Sequence, residues 1–142
     1  MGKSNKKKMK GWLIIALCVV GAAALYFAYY MSGIISYKNK VKNTVIPEVN
    51  ISAIPDGTYI GDYDVNILYA KVEVIVKSGE ITDIILIEHR HDHGERAERV
   101  TDDIIAEQSL DVDAVSGATN SSTVIKKAVS NALQSADNGG QS

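Results

Sequence analysis

The chain has 142 residues, room for one domain, and a formal net charge of −2 that conceals two unlike parts. Residues 1–47 hold eight Lys and no acid, whereas residues 48–142 hold all 17 acids against seven bases, a net of −10. That acidic part argues against nucleic-acid binding, which needs a basic surface, and the single cysteine, Cys18, precludes an intrachain disulfide.

Residues 1–11 form a Lys-rich tail. From Trp12 to Met31 no charged residue occurs over 20 positions, the length that spans a hydrocarbon core of ~30 Å. Trp12 marks one end and Tyr26, Tyr29 and Tyr30 the other, as interfacial aromatics do. Five Lys precede the segment and three follow it, so the positive-inside rule places the N-terminus in the cytoplasm and the rest outside. Ala22-Ala23-Ala24 offers a signal-peptide cleavage site as the alternative. The apolar stretch continues through Leu25, Phe27 and Met31, however, which suits an uncleaved anchor in the lipid bilayer.

Residues 32–50 read as a stalk, with Lys38, Lys40, Lys42 and Pro47 and little apolar periodicity. Asp56-Gly57 is a turn, and Thr58-Tyr59-Ile60 begins a short strand. Ala70–Lys77 alternates Val72, Val74 and Val76 against Lys71, Glu73, Ile75 and Lys77; Ser78-Gly79 then turns the chain into a second β-rich run, Ile81–His89. Ala97, Val100, Ile104 and Ile105 fall at helical spacing within Glu95–Gln108. Val112–Val115 is a short strand or extended lead. Val124, Ile125, Ala128, Val129, Ala132 and Leu133 then stripe a helix over Ser121–Leu133, with Ser121 or Ser122 as N-cap. Residues 134–142 are polar and read as a disordered tail. The expected fold is α+β: a small sheet in residues 51–133 with two helices packed on it, after one transmembrane helix.

Between the two helices lies Asp113-Ala114-Val115-Ser116-Gly117-Ala118-Thr119. Thr119 offers a hydroxyl for a phosphoester, Gly117 and Ala118 let a bulky group approach the backbone, and a helix start beside Thr119 suits a phosphate. As a bare tetrapeptide, Ser-Gly-Ala-Thr is also what a polar loop before a helix looks like. With Asp113 in register and the helix following, the segment resembles the Asp-x-x-Ser/Thr-Gly-Ala-Thr signature of FMN-binding domains with covalent flavin. These occur in subunits of pumping quinone and ferredoxin oxidoreductases and in small extracytoplasmic electron carriers. The resemblance begins at Asp56-Gly57-Thr58-Tyr59, a weaker element, and follows the family's running order from there. It implies FMN esterified to Thr119 by a flavin transferase, with Ser116, Gly117 and Ala118 at the cofactor and Asp113 serving the transferase. Asn120 and Ser121 replace the apolar residue and Thr that many relatives have next.

His89, His91 and His93 alternate and would share one face of a continuing strand. Two of them could share a metal ion completed by Asp92 or Glu95, or one could support proton movement at a flavin. The favoured reading is a polar strand end entering a loop at Gly94, with no metal. No hydrolase elbow, dinucleotide loop or cysteine cluster is present. The sequence thus points to a single-pass cell-membrane flavoprotein with its domain on the extracytoplasmic side. It would pass electrons between a membrane or surface donor and an acceptor, as a carrier rather than a stand-alone catalyst. The alternatives are an accessory flavin subunit of a larger membrane oxidoreductase and a non-redox anchored binding module.

Overall fold

The computed structural model describes residues 3–91 and 94–139. Two compact units result, Met1–Ser36 and Tyr37–Ser142. The first is helical: α1 covers Lys3–Lys42 and ends inside the second unit. Its segment Met9–Lys42 is long and apolar enough to cross a membrane. Trp12, Leu17, Leu25 and Tyr29 are all exposed, so the apolar side chains are distributed around the helix and no protein core covers them. A helix apolar on every side is the pattern of a buried or membrane-spanning helix.

In the second unit, β1 (Gly57–Asp64), β2 (Tyr69–Lys77) and β3 (Glu80–Arg90) form an antiparallel sheet in sequence order. The expected α+β fold is present. On β2 the alternation holds throughout: Ala70, Val72, Val74 and Val76 are fully buried, while Lys77 is exposed and the residues between are half-buried. Ser78 and Gly79 both have positive φ, 54° and 76°, as the tight hairpin turn compatible with strand twist requires. Asp56 accepts the Ser78 N–H at 2.6 Å and ties that turn to the entry of β1.

The expected helix over Glu95–Gln108 is split into a 3₁₀ turn, Glu95–Arg99, and the helix α2, Val100–Glu107. Gln108 ends α2 in the left-handed region, with φ 48°. Its side-chain amide accepts the Ile81 N–H at 2.7 Å and donates to the Ile81 carbonyl at 2.8 Å, joining α2 to the start of β3.

The last helix, α3, covers Thr119–Gly139. It starts two residues before the expected Ser121 and continues past Leu133, with Ala136 buried; the reading of 134–142 as disordered therefore does not hold for 134–139. Val124, Ile125, Ala128, Val129, Ala132 and Leu133 are all fully buried, as the stripe predicted. The close approach of α3 to β1 depends on Gly61, where a Cβ would overlap the Ala128 carbonyl and the Ala132 nitrogen. The expected stalk also differs. Residues up to Lys42 stay helical, Val41 is buried, Lys40 donates to the Asp64 carbonyl at 2.7 Å, and Thr44 pairs with the Tyr63 hydroxyl at 2.9 Å.

Candidate functional site

The lead into α3 is built as a hairpin of backbone and one buried hydroxyl. Val112–Val115 has no strand partner among the described residues, so of the two readings, short strand or extended lead, the second holds. Lys126, about two turns into α3, donates to the Val112 carbonyl at 2.5 Å and holds that segment against the helix. The Ala118 N–H then bonds the Val115 carbonyl at 2.9 Å, closing a four-residue turn. Gly117 occupies its third position with φ +79°, the conformation a type II turn requires there.

Ser122 fixes this turn to the helix. Its buried Oγ accepts the Val115 N–H at 3.0 Å and donates to the Ala118 carbonyl at 2.9 Å. The expectation that Ser121 or Ser122 is the N-cap is therefore corrected. Ala118 occupies that place, since its carbonyl accepts the first helical bond from the Ser122 N–H at 2.9 Å, and Ser122 acts from within the first turn.

These constraints leave Ser116, Gly117 and Thr119 exposed and Ala118 buried. Thr119 is the first residue of α3, where the leading N–H groups have no acceptor within the helix. Beside it opens a cleft of about 370 Å³, walled by Tyr37, Leu68 and Gly94 on one side and Gly117–Ser121 on the other. No atom lies within 4 Å of the place a Gly117 Cβ would occupy, so the turn faces open space. Asp113 is exposed on the lead segment and is not among the residues lining the cleft. Ser116 also lies off its lining.

Sequence reasoning did not find Tyr37, Leu68 or Gly94. Tyr37 was assigned to a stalk, and Leu68 and Gly94 belong to loops that only folding brings to α3. Gly94 carries the one readable signal, a glycine just after the histidines. A Cβ there would collide with the Ser121 side chain and crowd the His91 Cβ.

The strand does end at Arg90, ahead of the loop at Gly94, as expected, but the His89 side chain is buried there. The His89 side chain is only 3% exposed, and its Nδ1 lies 3.3 Å from Glu98 Oε1. Its Nε2 is buried without a hydrogen-bond partner among the described residues. Burial holds the His89 pKa below its ordinary value, against the opposing pull of Glu98, which favours an uncharged ring. His91 lies beside it, ring centroids 4.5 Å apart, and its Nδ1 accepts the Gly94 N–H at 2.9 Å. Asp92 and His93 lie outside the described residues.

Comparison with known proteins agrees with the resemblance of the motif. The model of the FMN-binding domain family matches residues 69–134, from β2 through most of α3. Asp56-Gly57-Thr58-Tyr59 and β1 fall outside the matched stretch. No curated protein and no solved structure matches the chain.

Proposed function

With an FMN-binding domain matched at residues 69–134, we propose that this chain is a membrane-anchored flavoprotein. It holds FMN through a phosphoester at Thr119 and moves electrons on the extracytoplasmic side. The observation that carries the reading is the placement of Thr119, exposed at the start of a 21-residue helix and beside a cleft.

The residues fit the group. A phosphate on Thr119 would lie at the positive end of α3, where unpaired N–H groups favour an anion. Gly117 adds no side chain to obstruct it, and Tyr37 and Leu68 offer aromatic and aliphatic surface to a flat ring. When bound, FMN supplies the electron-transfer chemistry, and the protein supplies position and environment. Attachment forms a bond from the Thr119 hydroxyl oxygen to phosphorus and releases the hydroxyl proton, with AMP departing when FAD is the donor. Ser122 and Lys126 hold the acceptor turn in shape. The exposed Asp113 and Ser116 are left for a flavin transferase to grip. A covalent tether suits an extracytoplasmic site, from which a free flavin would be lost.

Orientation follows from the Lys-rich end, which stays in the cytoplasm while the domain from Tyr37 onward lies outside. Protease added to intact spheroplasts should remove that domain and leave the N-terminal end protected; a protected domain would overturn the export of electrons.

One feature favours the accessory-subunit reading. Ile60, Ile85 and Ile87 are exposed by 53%, 44% and 49%, and the paired register puts Ile60 and Ile85 on the same solvent face of the sheet. Other subunits retained through purification from detergent extracts would support it.

The main test uses the full chain co-expressed with a flavin transferase and supplied with FAD. Flavin fluorescence should survive denaturation of the unmutated protein and be absent from Thr119→Ala. Persisting fluorescence in that variant would place the flavin elsewhere. An unmutated protein without covalent flavin would favour the non-redox module.

A further inference from the structure

We propose that His89, His91 and Glu98 form a binding site for a divalent transition-metal ion of the zinc class, beside the cleft at Thr119. One ligand atom from each of the three residues lies within 4.8 Å of the others. Two imidazoles and a carboxylate are the donor set that zinc and related ions accept, and three protein ligands leave a coordination position open. The 3.3 Å between His89 Nδ1 and Glu98 Oε1 is about the edge of a tetrahedron with arms of ~2.0–2.1 Å. Bringing the third ligand in requires only a small closure of the group.

The fold prepares these ligands in three ways. First, β3 carries a bulge: Leu86 pairs with Val72 but His89 pairs with Ala70, so three steps on β3 match two on β2. The extra residue turns His89 to the buried side that Ala70 occupies, and a bulge commonly re-aims a functional side chain in this way. Second, the Gly94 N–H bonds His91 Nδ1 at 2.9 Å. That bond orients the ring with the Nδ1 lone pair toward the loop, and an ion taking that lone pair replaces the Gly94 N–H there. Third, the 3₁₀ turn Glu95–Arg99 presents Glu98 to His89 across the loop. An ion here adjoins the cleft through Gly94, which packs on both His91 and Ser121.

The site stands independently of flavin attachment, so its test uses the flavin-free full chain in detergent micelles, without a polyhistidine tag and stripped by a chelator. Equilibrium dialysis against Zn²⁺ with elemental analysis should give one ion per chain. Glu98→Gln and His91→Asn should each weaken that binding by at least ~10-fold. Glu98 is half-exposed, so Glu98→Gln removes a ligand without opening the core, and circular dichroism of each variant checks its fold. Zn²⁺ should also raise the thermal midpoint of the unmutated domain and leave that of Glu98→Gln unmoved. Co²⁺ in place of Zn²⁺ should show the intense visible bands of a tetrahedral ion. Absence of stoichiometric binding, or binding and midpoint shifts equal in the unmutated chain and in Glu98→Gln, would overturn the proposal.

Discussion

The two long helices, α1 and α3, both carry apolar residues over several turns, yet they solve opposite problems. In α3 the apolar residues form one stripe that the rest of the domain covers completely, and Asn131 at its border donates to the Asp62 carbonyl of β1 at 2.8 Å. In α1 the apolar residues of the segment 12–31 point in every direction and remain exposed. The first pattern is completed by tertiary packing; the second is that of a helix long and apolar enough to cross a bilayer. Composition already separates them, since residues 12–31 carry no charge and α3 carries Lys126, Lys127 and Asp137; the angular distribution of the apolar residues shows which face, if any, is to be buried.

The same substitution in the two helices should therefore fail in different ways. Ala128→Asp buries an unpaired charge beneath α3 against β1. It should cost more than ~4 kcal/mol and abolish the cooperative unfolding of the domain, read by chemical denaturation. Ala23→Asp, midway along the apolar segment of α1, should leave that transition unchanged. It should instead disfavour membrane insertion by about 2.5–3.5 kcal/mol, read as a shift from the membrane to the soluble fraction. A loss of domain stability in Ala23→Asp would show that α1 packs on protein.

A finer probe of the α3 contact is Gly61→Ala. Its methyl has no room between β1 and the backbone at Ala128 and Ala132, so separation of the two elements should cost about 1–3 kcal/mol. An unchanged denaturation midpoint would mean that the strand and helix are further apart than described. Ser122→Ala removes the hydroxyl that joins the Val115 N–H to the Ala118 carbonyl. It should cost about 1–2 kcal/mol and slow flavin loading at Thr119 while leaving the acceptor hydroxyl in place; loading at the unmutated rate would show that the turn needs no such support. The smallest effect belongs to Lys127→Asp, off the buried stripe of α3, where stability should change by no more than about 0.5 kcal/mol. A loss comparable with Ala128→Asp would contradict the assigned face.

Within the sheet, β2 and β3 show how far sequence pattern reaches. On β2 the period of two is unbroken, so Val72, Val74 and Val76 were readable as core. On β3 the run Ile81–His89 gives no such answer, because two register irregularities change which side each residue faces. Ile81, Ile84 and then Leu86 face inward, while Ile85 and Ile87 are left in solvent. A bulge is an agreement between two strands, and one strand's sequence does not encode it alone. For that reason the burial of the His89 side chain at the strand end was missed, and Glu98 was passed over in favour of nearer carboxylates.

Local chemistry was sufficient for several features. The 20 uncharged positions identified the candidate span because bilayer thickness sets a length. The apolar stripe of α3 identified its buried face because helical periodicity is local. The motif ending at Thr119 was legible because its residue types supply the hydroxyl and room for a bulky group, whereas the turn at Gly117 emerged only with the fold. Only the tertiary structure decided that Tyr37 and Leu68 wall the cleft, that Gly61 lets α3 approach β1, and that His89, His91 and Glu98 come together. Each of these joins segments distant in sequence or depends on register between strands, and the energy that holds them there comes from packing a shared core rather than from any one segment's preference.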